Sequence, residues 1–180
     1  HLGGGSPTFL TDDELRQLMA MLRRNFAVAP GAECSIEIDP RTVTSERLQV
    51  LADLGFNRIS YGVQDFDPDV QRAVHRLQPE DLVRRVVAEA RANGMRSVNF
   101  DLIYGLPKQT LDSFNRTLDR VIELDPDRIA LYAYAHLPER FKPQRRIAAA
   151  DLPSAEARLQ ILTLAVGRLT RAGYLYIGMD

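Results

Sequence analysis

Two carboxylates interrupt stretches of the sequence that are otherwise apolar and typical of strands. Glu37 stands within the stretch 36–38, and Asp101 stands within the stretch 100–102. A carboxylate that faces the interior of a barrel loses hydration worth several kcal/mol unless another group pairs with it. Alternatively, both side chains point toward the helix layer or the rim and pair with a nearby arginine. Taken together with Gln64, the two carboxylates favour a ligand site.

The carboxyl ends of the predicted strands carry most of the residues that could bind a ligand. In parallel α/β folds, ligands gather at these ends because loops and helix N-termini converge there. The residues come from five predicted strands: Gly3, Gly4, Gly5 and Ser6; Glu37 and Asp39; Gln64 and Asp65; Asp101, Tyr104 and Gly105; and Ala135 and His136. The triple glycine permits close backbone approach, but it matches neither the dinucleotide-binding nor the phosphate-loop fingerprint.

Other reactive residue types give weaker signals. His75 and His136 have no second histidine or cysteine at metal-ligand spacing, so we predict no metal site. Cys34 is the only cysteine, and it alternates with apolar residues, which favours core packing over chemistry. A single thiol cannot hold an iron–sulfur cluster, which takes three or four. The basic segment 140–146 is interpreted as a solvated loop rather than an anion site.

The elements that must position these residues alternate between strand-like and helix-like patterns. Strands separated by helical crossovers run parallel. We predict an α/β fold in residues 1–180, a single domain that forms a partial (β/α) TIM-like barrel of about five to six parallel strands, with a doubly wound sheet as the alternative. The predicted strands are 34–39, 58–64, 97–103, 128–135 and 174–178, and the glycine loop looks like the end of another. The abrupt beginning and end predict an excised piece of a longer protein.

The composition excludes several classes of partner. The chain has 180 residues, a formal net charge of -1, 45% hydrophobic and 26% charged residues. Without a basic excess, we expect neither a nucleic-acid nor an anionic-membrane partner. No apolar run reaches the roughly 18 residues that span a bilayer, and no signal segment is present, so we predict a cytoplasmic protein. We expect it to be a monomer.

Four motifs in order resemble those of one enzyme family over essentially the whole chain. They are Gly3-Gly4-Gly5-Ser6-Pro7-Thr8, Ile36-Glu37-Ile38-Asp39-Pro40-Arg41, Tyr61-Gly62-Val63-Gln64-Asp65-Phe66 and Asn99-Phe100-Asp101-Leu102-Ile103-Tyr104-Gly105-Leu106-Pro107. Together they resemble the radical S-adenosylmethionine (SAM) coproporphyrinogen dehydrogenases, also called oxygen-independent coproporphyrinogen III oxidases. The radical SAM haem chaperones share part of this pattern. The segments 39–41, 66–76, 134–138 and 143–146 favour the oxidases.

The resemblance implies a reaction and a set of cofactors. Family members use a [4Fe–4S] cluster and SAM to make a 5′-deoxyadenosyl radical, which oxidatively decarboxylates coproporphyrinogen III to protoporphyrinogen IX in haem biosynthesis. An external electron donor and acceptor take part. By motif, Gly4 and Glu37 would hold one SAM, and a second SAM would lie among Gly5, Ser6, Gln64, Arg76, Asp101 and Ala135. Ser6 replaces the usual threonine and keeps the hydroxyl.

One family feature is missing from the sequence. The Cys-x-x-x-Cys-x-x-Cys loop that precedes the glycine loop in the family is absent, as is the family's C-terminal region. We therefore expect the parent protein to be an enzyme and these 180 residues alone to be inactive. A (β/α)-barrel lyase or aldolase is a further alternative, but the only lysines, Lys108 and Lys142, both lie in predicted loops.

Overall fold

Four parallel strands form the centre of the molecule. The computed structural model describes residues 1–178, and within them the strands follow one another across the sheet in chain order, β1-β2-β3-β4. They are β1 (Ser35–Ile38), β2 (Arg58–Gln64), β3 (Ser97–Tyr104) and β4 (Arg128–Ala133). Since this order never reverses, the sheet lacks the switch point of a doubly wound fold, and the partial barrel is confirmed.

Helices connect the strands, as the alternating sequence pattern predicted. They are α1 (Asp12–Asn25), α2 (Ser45–Asp53), α3 (Pro68–Ala73), α4 (Glu80–Ala92), α5 (Leu111–Leu124) and α6 (Ala155–Arg171), with short 3₁₀ turns at Pro7–Phe9, Lys142–Arg146 and Ala149–Asp151. The capping box that Thr11 and Glu14 predict is present at α1, because each side chain bonds the other residue's backbone N–H. None of these helices is long and apolar enough to cross a membrane.

The two faces of the sheet differ in polarity. Along β3, Val98, Phe100 and Leu102 are fully buried in an apolar cluster that includes residues of five helices. Side chains alternate along a strand, so Asn99 and Asp101 lie on the opposite face. One face of the sheet therefore holds the core, and the other is polar.

Both ends of the predicted strand series differ from the prediction. Residues 174–178 form no strand, so that prediction was wrong: Leu175 and Ile177 are 88% and 81% exposed, and the Tyr174 N–H bonds the Leu169 carbonyl instead of β4. A short apolar run makes a strand only where a neighbouring strand pairs with its backbone N–H and C=O groups. At the other end, Leu2 forms a single parallel bridge with Ile36.

Candidate functional site

Asp101 lies on the polar face of the sheet within a network of three side chains. Its Oδ2 accepts a hydrogen bond from Ser60 Oγ at 2.9 Å, and its Oδ1 accepts one from Asn99 Nδ2 at 2.8 Å. Asn99 Nδ2 also donates to Ser60 Oγ at 2.6 Å. Because Ser60 and Asn99 are almost fully buried, they hold the carboxylate in one orientation.

Glu37 of β1 contacts the glycine loop (residues 3–5). The Gly4 N–H donates to Glu37 Oε2 at 3.3 Å, and His1 Nε2 lies 3.3 Å from Oε1. A Cβ on Gly3 would stand only 2.5 Å from Oε1, so a larger residue there would displace the Glu37 carboxylate from this position. Gly4 and Gly5 have φ of +85° and +136°, values that favour glycine, and open space surrounds both.

The charge of Glu37 affects the titration of Asp101. Burial raises the pKa of Asp101, and the negative charge of Glu37 raises it further, while the hydrogen bonds from Ser60 and Asn99 work in the opposite direction. The same charges affect Tyr132 of β4. Burial raises the pKa of its hydroxyl, and the negative charges of Asp101 and Glu37 raise it further. The polar face is therefore an electronegative region that favours a cationic or hydroxyl-bearing ligand.

The titration of Asp101 should respond in opposite directions to two substitutions. Ser60→Ala removes a hydrogen bond to the ionised form, so the pKa of Asp101 should rise further. Glu37→Gln removes a nearby negative charge, so the pKa should fall toward the ordinary aspartate value. Carboxyl ¹³C NMR titration would measure both. Ser97→Ala is the matched control, because Ser97 Oγ is buried on the same strand without a hydrogen-bond partner. Shifts in the same direction for both variants would contradict the network.

Gln64 and Arg76 meet beside Gly62. Arg76 Nη2 donates to the Gly62 carbonyl at 2.9 Å, and a Cβ on Gly62 would stand 2.9 Å from Gln64 Nε2 and 3.0 Å from Arg76 Nη2. Gly62 pairs with Asp101 across the sheet, so this cluster adjoins the carboxylate network. A bulge between Gly62 and Gln64 shifts the register at the end of β2. The absent side chain at position 62 thus makes room for two candidate site residues.

Two further predicted site residues, Ser6 and Ala135, lie at the same edge of the sheet but make fewer contacts with the others. Ser6 follows Gly5 and begins the 3₁₀ turn Pro7–Phe9, where its side chain makes no capping hydrogen bond. Ala135 follows β4, and its carbonyl accepts from Gln144 Nε2 at 3.0 Å. Within residues 1–178, no hydrogen bond joins Ala135 to the other predicted site residues. The structure therefore brings Gly4, Glu37, Asp101, Gln64 and Arg76 into one connected region and leaves Ala135 at its side.

Asp65, which the sequence also placed at a strand end, has a structural role. It is 1% exposed and accepts hydrogen bonds from Thr117 Oγ1 at 2.5 Å, Gln109 Nε2 at 2.6 Å and the Asp67 N–H at 2.7 Å. Burial raises the pKa of Asp65, against these hydrogen bonds. Asp65 joins the loop after β2 to the loop after β3 and to α5.

Sequence reasoning missed several residues of this region. Ser60 and Asn99 carry the same signal as Asp101, because they alternate with apolar residues along their strands, and they could have been found by extending that pattern. Arg41 gave no such signal. It lies beyond the end of β1, and only the folded chain shows that it pairs with Asp39.

An apolar cavity lies on the other side of His1 from Glu37 and contains none of the predicted site residues. It has a volume of about 360 Å³ and lies at the amino end of β1, where Cys34, Phe56 and Met19 line it. Cys34 is half-buried and packs against the core, as predicted. No group of three or more histidine, cysteine or acidic side chains suited to a metal ion occurs in the part of the chain that the structure describes.

Comparison with known proteins shows the family to which this chain belongs. The model of the radical SAM superfamily matches residues 1–121. The oxygen-independent coproporphyrinogen III oxidase of Pseudomonas aeruginosa is 54% identical over an alignment that covers 100% of this chain and 40% of that protein. The oxidase of Escherichia coli K12 is 51% identical, with 39% of its length covered. This chain thus spans about 40% of the length of these curated relatives.

Solved structures show the same fold. Coproporphyrinogen III oxidase from Escherichia coli, described as a radical SAM enzyme, superposes with a TM-score of 0.94 at 50% sequence identity. The superposition includes 99% of this chain and 41% of the oxidase chain. The archaeal Elp3 of Methanocaldococcus infernus superposes with a TM-score of 0.65 at 15% identity, over 74% of this chain and 32% of its own. This second likeness concerns the fold alone.

Proposed function

Because the chain belongs to the radical SAM superfamily, we propose that its residues form the SAM-binding part of an oxygen-independent coproporphyrinogen III oxidase. The observation that carries this proposal is 54% identity to the Pseudomonas aeruginosa oxidase along the entire chain. The complete protein would convert coproporphyrinogen III to protoporphyrinogen IX in the cytoplasm as a monomer. An external donor would supply the electron that SAM cleavage consumes, and an external acceptor would take the electron that the substrate releases when it loses carbon dioxide.

The polar face suits the chemistry of SAM. SAM carries a sulfonium, an ammonium, ribose hydroxyls and one carboxylate, and when bound it supplies the adenosyl group for hydrogen abstraction. Carboxylates such as Glu37 and Asp101 accept hydrogen bonds from hydroxyl and ammonium groups, and their negative charge favours a cation. Arg76 suits the ligand carboxylate, since a guanidinium donates two parallel hydrogen bonds.

Two SAM molecules would share this edge of the sheet. Gly4 and Glu37 would hold the first, because the open glycine loop leaves backbone groups accessible beside the carboxylate. The second would lie among the remaining predicted residues, which are Gly5, Ser6, Gln64, Arg76, Asp101 and Ala135. The contact between Arg76 and Gly62 and the pairing of Gly62 with Asp101 support a common second site.

The described residues do not fit a [4Fe–4S] cluster. Such clusters need three or four thiolates, whereas this chain has one cysteine. Cys34 lies at the amino end of β1, the opposite end from the glycine loop that follows Leu2. In the complete protein, cluster ligands would therefore have to come from other residues. What these residues contribute is binding and orientation of SAM.

The direct test is anaerobic turnover by the complete gene product. We expect reconstituted protein with SAM, a reductant and an electron acceptor to convert coproporphyrinogen III into protoporphyrinogen IX, detected chromatographically after oxidation to the porphyrins. Omitting SAM should abolish the conversion. Tight haem binding without any loss of coproporphyrinogen would instead identify a haem chaperone and overturn the oxidase assignment.

A further inference from the structure

Asp39 pairs with two arginines that come from different parts of the chain. Arg41 donates from Nε to Asp39 Oδ1 at 3.0 Å and from Nη2 to Oδ2 at 2.6 Å, and its backbone N–H donates to Oδ1 at 3.0 Å. Arg76 Nη1 lies 3.5 Å from the same Oδ2. The Asp39 side chain is 16% exposed, so water screens these interactions less than it would at the surface.

Arg76 is held from its other side as well. Its Nη2 bonds the Gly62 carbonyl at 2.9 Å, and its Nε is buried without a hydrogen-bond partner. A buried donor without an acceptor is costly, and a ligand that supplies an acceptor removes that cost. The guanidinium is therefore held through Nη2 and Nη1, while its Nε has no acceptor.

The charges of this cluster do not cancel. Two guanidinium groups face one carboxylate, and neither Arg41 nor Arg76 has another acidic partner in residues 1–178. Burial lowers the pKa of Arg76, and the positive charge of Arg41 lowers it further, while Asp39 opposes both. One uncompensated positive charge matches one ligand carboxylate.

We infer that Asp39 and Arg41 are positioning residues that align Arg76 to receive the carboxylate of a bound SAM. The inference rests on the proposed function, since it takes SAM as the ligand. Asp39 binds Arg41 through two of its nitrogens and pairs with Arg76 through Nη1 alone. Arg41 supplies the second positive charge, so the cluster still attracts an anion after Asp39 is paired. Without Asp39, two like charges would repel each other and Arg76 would lose its orientation.

The test compares two ligands that differ in the carboxylate. S-adenosylhomocysteine carries the amino-acid carboxylate, whereas 5′-methylthioadenosine lacks the whole amino-acid group. In the complete gene product, Asp39→Asn and Arg41→Met should each raise the Kd of one class of S-adenosylhomocysteine sites by about tenfold, the effect of losing one charge-assisted hydrogen bond. The Kd for 5′-methylthioadenosine should stay within about twofold. Isothermal titration calorimetry measures both.

Two further variants make the outcome decisive. Asp69→Asn breaks an exposed aspartate–arginine pair on the nearby helix α3 and should change neither Kd. Arg41→Met leaves Asp39 in place, so it tests the inference even if Asp39→Asn does not fold. Gly62→Ala keeps every charge but displaces Gln64 Nε2 together with Arg76 Nη2, so its loss of S-adenosylhomocysteine affinity should be at least as large as that of Arg41→Met. Equal weakening of both ligands, or unchanged S-adenosylhomocysteine binding, would overturn the inference. If the unmodified protein binds neither ligand, the proposed cofactor itself is wrong, and the inference with it.

Discussion

Replacing Asp101 with asparagine should lower kcat/KM for SAM by about 10- to 100-fold in the complete protein, as expected when a ligand loses a charge-assisted hydrogen bond or two. The substitution removes a negative charge with little change in shape. Ser60 Oγ can adapt, because a hydroxyl has two acceptor lone pairs and can accept from the new amide as well as from Asn99. The network should therefore survive while the charge is lost.

The measurement should separate this loss of charge from a loss of fold. Initial rates at saturating coproporphyrinogen III give kcat/KM for SAM, and urea unfolding reports stability. Ser97→Ala is the matched control on the same strand and face, since Ser97 Oγ makes no hydrogen bond. We expect that variant to retain activity. Activity of Asp101→Asn within twofold of the unmodified protein would remove Asp101 from the SAM site.

Asparagine at position 65 should have its main effect on stability, lowering the free energy of unfolding by about 1–3 kcal/mol, the cost of unpaired buried donors. All three partners of Asp65 donate, so the new amide NH₂ would face Gln109 Nε2, which now donates at 2.6 Å. Gln109 cannot reverse its amide, because its Oε1 accepts from the Gly105 N–H and its Nε2 also donates to the Ile103 carbonyl. Two donors would be forced together.

An exposed equivalent provides the comparison for position 65. Asp53 accepts from Gln49 Nε2 at 2.9 Å on the surface of α2, where water can replace the lost acceptor. Asp53→Asn should change the free energy of unfolding by less than about 0.5 kcal/mol. Urea denaturation of both variants gives the comparison. Equal stability of the two variants would show that the buried network contributes nothing beyond an ordinary surface contact.

The sequence predicted the architecture well wherever local signals and tertiary pairing agree. The strand 58–64 was predicted with the bounds that the structure shows, because its alternating side chains also find two neighbouring strands. Residues 174–178 form a continuous apolar run but bond no neighbouring strand, and they form none. Alternation indicates which side chains can face a core, whereas a strand also needs partners, which only the folded chain reveals.

The candidate site was predicted in part, for the same physical reason. Glu37 and Asp101 stood out because a carboxylate within an apolar stretch is costly. The contact of Asp39 with Arg76 could not be foreseen, since 36 intervening residues separate them and the sequence around an arginine does not indicate its partner. The sequence also could not predict which side chains occupy the space beside Gly62, because a glycine in a strand does not indicate what approaches it.

The bulge at the end of β2 has a consequence for engineering the protein. Gln64 adopts φ of +68° there, a left-handed backbone that costs a residue with a side chain about 1–2 kcal/mol relative to its ordinary conformations. Glycine would adopt this geometry without the steric penalty, so a search for thermostable variants would favour it. Such a variant would lose the Gln64 amide beside Arg76. Raising the stability of the bulge and keeping the side chain proposed to bind SAM are therefore competing aims.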